Sequence, residues 1–315
     1  MQNFLVVIQA VLPIFLVIAT GGILQRKGWI PQDLERGIFK IVLNILVPCF
    51  IFDSILGNET LRNPQNILTA PLIGILLTAF AALLGLFFAS LVGLQERSSK
   101  RSFAFSVSIM NYGYIAVPLA QSIFGKETLG MLFVFNLGIE ISLWTLGAIL
   151  LSRQTLLHSL KQINFSAIAA ILLGVTLNFA NAQEWIPLFI LKTIHYLGTP
   201  ANPLAILLIG ATFASSLHSF SFREGGETMA AGIFLRNLLL PFTLLLAARY
   251  APMSEDLRRV LILQSAMPAA LYPIVLIKHY HGDSVTALRV AVASTLFGLL
   301  SIPLILKFGM SWVFG

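Results

Sequence analysis

Charged residues are scarce in this chain. Asp, Glu, Lys and Arg make up 10% of its 315 residues, against roughly 25% in a soluble domain. So few charges cannot cover a water-facing surface, which excludes a soluble enzyme or a soluble binding domain. Cysteine is nearly missing too: Cys49 stands alone, excluding an intramolecular disulfide and a cysteine-held metal cluster. The sequence lacks HExxH, a Walker-type glycine loop and a nucleophile elbow. Neither an intramembrane hydrolase nor an ATP-driven pump is supported, and we expect no catalytic residue, metal or cofactor. His279 and His281 come closest to a metal pair, but two positions apart they face different directions on a helix. A solvated helix end explains them. The net charge of +7 does not point to nucleic acid, because the basic residues sit in short loops between apolar runs, where membrane topology accounts for them.

What the chain has in quantity is apolar side chain, 57% of all residues, and this marks an integral membrane protein. A helix crosses a bilayer in roughly 20 apolar residues. On that measure ten segments are expected: Phe4 to Leu24, Gly37 to Leu56, Ile67 to Leu94, Ser102 to Phe124, Leu129 to Leu151, Phe165 to Ala180, Leu188 to Ser215, Met229 to Tyr250, Leu257 to Tyr280 and Val285 to Phe308. Phe4 to Leu24 has no basic residue before it and no small-x-small cleavage site after it, so it is expected to be a retained helix. Basic residues favour the loops of Arg26, Lys27, Arg36, Arg97, Lys100, Arg101, Arg153, Lys161, Arg223 and Lys278. The positive-inside rule then puts both termini outside, with Arg249, Arg258 and Arg259 as the main objectors. A multi-pass protein of the plasma membrane is expected.

The chain also reads as a duplication. A slide of about 155 residues lays "LVPCFIFDSIL" (Leu46 to Leu56) over "ANPLAILLIGA" (Ala201 to Ala211) and superposes Pro48 on Pro203. A similar slide pairs Gly125 of "SIFGKETLG" with Gly282 of "HYHGDSVTA". Residues 1–155 and 156–315 are expected to be two five-helix repeats within one transporter domain. Five is odd, so the second copy enters from the opposite face, the inverted arrangement of many secondary transporters.

Both halves carry helix breakers at comparable depth. In "NYGYIAVPLAQSIFG", Asn111 to Gly125, Pro118 cannot donate a backbone hydrogen bond and Gly113 makes an unwound stretch sterically easy. Its counterpart, "QSAMPAALYPIVLIKHYHG", carries Gln264, Pro268 and Pro273. Freed main-chain groups cannot face lipid, so two breaks are expected to cross each other beside a watery cavity. Half-helix N-termini there offer partial positive charge and free N–H groups to an anion, and the Asn111 amide adds a directional bond.

"NYGYIAVPL", "DLRRVLILQSAMPAALYPIVLIKHY" (Asp256 to Tyr280) and "FLRNLLLPF" (Phe234 to Phe242) resemble the auxin efflux carrier family, which lies in the larger group that holds the bile acid sodium symporters. The resemblance runs along nearly the whole chain. It implies ten helices in two inverted repeats, a scaffold and an elevator-like transport domain containing the crossing helices, and a homodimer through the scaffold. It also implies that the substrate carboxylate is held near the crossover by the positions of Asn111, Pro118 and Pro268. The long loop of many plant exporters is missing between Leu151 and Phe165, which favours a compact microbial-type carrier.

Ionisable residues inside apolar spans are expensive and usually face an interior or a cavity. Glu140, Asp53 and Arg236 are such residues. Glu140 is a candidate for taking up and releasing a proton, although plant members of the family carry a neutral amide near that position. A buried ion pair or a hydrogen-bonded helix anchor is the competing role for Glu140 and Arg236, and Asp53 lies close enough to a helix end to be a cap. Gly210, among small residues in "IGATFASS", reads as a helix-packing position. The leading expectation is a secondary carrier for a small organic anion, auxin-like or a dicarboxylate. The rivals are a sodium-coupled symporter using Asp53, Glu140, Gln264 and unwound carbonyls as ligands, and a membrane sensor or channel. Proton against sodium coupling stays open.

Overall fold

The computed structural model describes residues 4–151, 165–217 and 224–315. Among the described residues all regular structure is helical. Seven helices are long and apolar enough to cross a membrane: Val7–Arg26, Asp33–Ile55, Pro64–Leu91, Lys126–Leu150, Leu188–Ser215, Gly226–Tyr250 and Ser284–Phe314. The remaining expected segments differ in kind. The sixth, Phe165–Phe179, is a helix of 15 residues, and the fourth and ninth are pairs of short helices separated by unwound chain. Arg153, Lys161 and Arg223, used above for topology, lie outside the described residues.

The first half comprises α1 (Phe4–Arg26), α2 (Gln32–Ile41), α3 (Val47–Ile55), α4 (Pro64–Leu91), α5 (Arg97–Ser108), α6 (Ala116–Ile123) and α7 (Lys126–Leu150). The second comprises α8 (Phe165–Phe179), α9 (Leu188–Gly198), α10 (Ala201–Leu217), α11 (Gly226–Phe234), α12 (Leu240–Tyr250), α13 (Glu255–Ser265), α14 (Tyr272–His279) and α15 (Ser284–Phe314). Local chemistry explains several ends. Gly28 closes α1 at φ 74, a conformation open to glycine. α4 starts where the Asn63 side chain accepts the Gln65 N–H and Pro64 takes the first helical position.

Prolines shape the interior in a way that spacing alone does not reveal. α2 and α3 form one rod joined by a π turn, Val42–Leu46, and α11 and α12 are joined by another, Leu235–Leu239. Each π turn ends two residues before a proline, Pro48 and Pro241. A proline ring clashes with the carbonyl four residues back, and one wider turn relieves that clash without ending the helix. Pro203, expected to match Pro48, sits instead as the third residue of α10, which starts afresh after Thr199 and Pro200.

Packing sorts the helices into two groups with matching internal pattern. α1 lies against α10, and α3 lies against α8 and α9. In the second group α4 packs on α5 and α7, while α11 and α12 pack on α15 and α13 respectively. Within the second group the half-helices tie the two halves of the chain together, since α5 also touches α15 and α13 touches α7. Small residues permit these contacts: a Cβ on Gly210 would lie 2.0 Å from the Ile18 carbonyl oxygen, and one on Gly138 2.0 Å from that of Pro71. Gly210 is a packing position, as its small neighbours suggested.

Candidate functional site

The two broken helices meet in the middle of the protein. α5 ends at Ser108 and α6 begins at Ala116; α13 ends at Ser265 and α14 begins at Tyr272. Between them the unwound strands run antiparallel and pair as an isolated bridge, Met110 opposite Ala269. The Asn111 N–H donates to the Pro268 carbonyl at 2.8 Å, and the Ala270 N–H donates to the Ile109 carbonyl at 2.9 Å. Main-chain groups freed by each break are thereby satisfied by the other, as an interior without water requires. The Ser294 hydroxyl, from α15, adds a bond from the Ala269 N–H at 3.1 Å.

The prolines act differently from one another. Pro268 lies within the break and lends its carbonyl to the bridge. Pro118 and Pro273 are the third and second residues of α6 and α14. There a missing N–H costs nothing, because first-turn amides have no intrahelical partner; these prolines restart helices and do not break them. Gly113 is also less constrained than expected, because a Cβ on it would meet nothing within 4 Å and its φ is not positive. Pro48, Pro118, Pro203 and Pro273 line no part of the cavities described next.

Two cavities border the crossing. The first, about 240 Å³, has an apolar wall from α3, α7 and α8, including Val47, Phe50, Phe133 and Ile171. Its polar lining residues are Asn111, Tyr112, Tyr114, Asn136, Glu140, Asn202 and Tyr272. The second, about 400 Å³, lies among α1, α10 and α15, with Arg26 as the one charged residue among the described residues that line it. Asn111 and Leu271 line both, so the crossing segments stand between them. Asn111 is 5% exposed, and its Oδ1 accepts the Ile115 N–H at 3.4 Å, capping the start of α6.

One hydrogen-bonded chain runs along the polar side of the first cavity. Gln264 Nε2 donates to Asn136 Oδ1 at 3.0 Å, and Asn136 Nδ2 donates to the Tyr112 carbonyl at 2.9 Å. The Tyr112 hydroxyl donates to Glu140 Oε2 at 2.6 Å, and Trp144 Nε1 donates to Glu140 Oε1 at 2.9 Å. The first break, the C-terminal end of α13 and α7 are thus tied together. Asn136, Tyr112, Tyr114 and Tyr272 were missed in the sequence reading. Asn136, Glu140 and Trp144 succeed one another at four-residue steps, so the polar stripe of α7 was readable; the tyrosines look like ordinary packing residues until the fold turns them inward.

Arg236 and Glu140 do not form an ion pair. Arg236, in the π turn before α12, is 2% exposed; its two terminal nitrogens donate to the Val107 carbonyl at 3.3 Å and the Met267 carbonyl at 2.9 Å. It is a helix anchor that binds the C-terminal ends of α5 and α13 together. Asp53 lies apart from this centre, lines neither cavity and pairs with His195 Nδ1 at 2.9 Å. Among the described residues no cluster of His, Cys, Asp or Glu could hold a metal ion.

A helical membrane protein in which two interrupted helices cross beside a cavity has the build of a transporter. The comparisons with known proteins agree. A family model described as "Membrane transport protein" matches residues 6–159 and 153–306, and the chain belongs to this family, which is of the auxin efflux carrier type. It is 24% identical over 301 residues to an uncharacterized transporter of Methanocaldococcus jannaschii, covering 93% of this chain and 96% of that one. An uncharacterized transporter of Methanothermobacter thermautotrophicus is 25% identical, covering 94% of this chain and 96% of its own length. The uncharacterized transporter YfdV of Escherichia coli is 23% identical, covering 93% and 94%.

Proposed function

We infer that the protein is a secondary carrier that moves a small organic anion with an apolar body across its membrane by alternating access. The observation that carries this reading is the crossing itself: two broken helices joined by main-chain bonds, with Asn111 bordering a cavity on either side. The Asn111 amide nitrogen makes no hydrogen bond among the described residues, leaving it for a ligand carboxylate. The size of the first cavity supports a small ligand. An apolar cavity of ~150 Å³ holds benzene, so about 240 Å³ suits one ring or a short chain with its carboxylate. An apolar wall facing a polar side favours an auxin-like monocarboxylate over a dicarboxylate.

The same reading takes residues 1–155 and 156–315 as inverted repeats. The exchange of packing partners supports it: α1 on α10 is answered by α8 on α3, α4 on α5 and α7 by α12 on α13 and α11 on α15, and α5 on α15 by α13 on α7. α1 to α3 with α8 to α10 then form the scaffold, and α4 to α7 with α11 to α15 the moving, elevator-like part. A homodimer through the scaffold, a plasma-membrane location and outside termini belong to this reading. The test is binding and transport of labelled carboxylates by the purified protein in liposomes. Asn111→Ala should weaken binding about tenfold or more, as expected for a lost hydrogen bond to a charged group. Unchanged transport in that variant removes Asn111 from the site.

The sodium-coupled alternative is weakened by the geometry, since Asp53 pairs with His195 away from Glu140 and Gln264. A channel is disfavoured because the crossing segments stand between the two cavities; single-channel conductance far above carrier turnover would restore it.

A further inference from the structure

The first cavity contains a carboxyl group and, among the described residues that line it, no Lys, Arg or His. An anion entering such a space meets Glu140 with no side-chain cation to offset it. Arg236 is not available, because its guanidinium is engaged with the Val107 and Met267 carbonyls and it does not line the cavity. We propose that the cavity takes its anion together with one proton, carried by Glu140, so that the site moves a monocarboxylate and a proton as an uncharged pair. This deepens the organic-anion reading and rests on it.

The surroundings of Glu140 fit a carboxyl that changes protonation. Its two oxygens accept hydrogen bonds from the Tyr112 hydroxyl and from Trp144 Nε1, and it opens onto the cavity from which a proton and an anion can reach it. When the proton arrives from bulk water, the carboxyl becomes a donor and can share that proton with the incoming carboxylate. The titratable groups that face Glu140 are Tyr112, Tyr114 and Tyr272, all from the crossing segments. α4, α6 and α8, which also pack on α7, carry no charged residue. α3 carries Asp53, paired with His195. α5, α13, α14 and the short turn Thr60–Arg62 keep their charges at their outer ends.

Tyr112 also links the event to the moving segments. It follows Asn111 in the chain, and its carbonyl accepts from Asn136, which is bonded to Gln264 beyond the other break. Protonation and anion binding therefore act on the same unwound strand. Because the loaded site carries no added charge, accumulation should follow a pH gradient and be indifferent to membrane potential.

The test is calorimetric titration of the full-length protein in detergent with benzoate, hexanoate and indole-3-acetate, repeated in buffers of different ionisation enthalpy and at several pH values. The proposal expects uptake of about one proton per carboxylate at high pH, with apparent affinity falling about tenfold per pH unit there, since only the protonated fraction binds. Glu140→Gln should bind with an affinity independent of pH and without proton uptake. Tyr112→Phe, a second variant that keeps the carboxyl, should still take up about one proton per carboxylate bound. Binding to wild type without proton uptake, or with the same pH dependence in Glu140→Gln, overturns the coupling and leaves the anion reading standing. Binding of none of the carboxylates, or tight binding of benzylammonium that Glu140→Gln abolishes, overturns the anion reading and the coupling with it.

Discussion

Arg236→Met is the most informative single perturbation of the fold. Among the described residues the buried guanidinium has no carboxylate partner and its Nε makes no hydrogen bond, which is costly unless something nearby supplies negative charge. Two helix ends supply it. Val107 lies in the last turn of α5 and Met267 two residues past α13, and each helix C-terminus carries roughly half a negative elementary charge. Together they offset about one positive charge, which is what Arg236 brings. Each bond to a charged group contributes about 1.5–3 kcal/mol, so removing the pair costs about 3–6 kcal/mol. Methionine recovers part of this by relieving the burial of a charge, and we expect a net loss of about 3 kcal/mol. For a chain of this size that lowers Tm by on the order of 5 °C, read by tryptophan fluorescence during heating in detergent. Arg236→Lys should fall between, because one compact ammonium cannot reach both carbonyls with a planar fork. A Met variant that melts within about 1 °C of wild type would show that the two helix ends do not need the charge, and would refute the reasoning.

Gly210→Ala forces a methyl to within 2.0 Å of the Ile18 carbonyl oxygen; separating α1 from α10 should cost about 1–3 kcal/mol, measured as a lower Tm, whereas Gly113→Ala, with open space around it, should melt like wild type. Asp283 caps α15 and ties it to α5: burial works to raise its pKa, but hydrogen bonds from Ser99, from the Thr286 hydroxyl and amide and from the Val285 amide outweigh this and hold it below its usual value. Its contribution is therefore full above the ordinary carboxylate range and lost as pH falls through the depressed value; Asp283→Ala should cost about 1 kcal/mol at neutral pH, with the gap to wild type narrowing in acid.

The local half of this architecture was legible in the sequence and the long-range half was not. Proline and glycine act on their own turns, so "NYGYIAVP" and "SAMPAALYP" announced two interruptions at matching depth, and both are present. What the prolines do was misread, because a proline inside an apolar run signals a disturbed turn without saying whether the chain unwinds, restarts or widens. Pro118 and Pro273 restart helices, Pro48 follows a π turn, and only Pro268 sits in a break. The partners of the ionisable residues were out of reach for a different reason. Asp53 meets His195 across 142 positions, and Arg236 meets Val107 across 129; neither separation leaves a periodic trace.

A buried ion pair was one of two competing roles for Glu140 and Arg236, because opposite charges in an apolar span ordinarily satisfy each other. The crossing helices change that account. Breaking two helices creates two C-terminal ends inside the protein, and these compete with any carboxylate for a buried cation. Arg236 is drawn to them, and its charge is neutralised by main-chain carbonyls. Glu140 is then left with only neutral donors, Tyr112 and Trp144, and an opening onto the cavity. The breaks thus engage the buried cation that an ion pair with Glu140 would have used. If the cavity takes an anion, as proposed, its missing positive charge has to come from solvent, and Glu140, which lines the cavity, is the group placed to carry it as a proton.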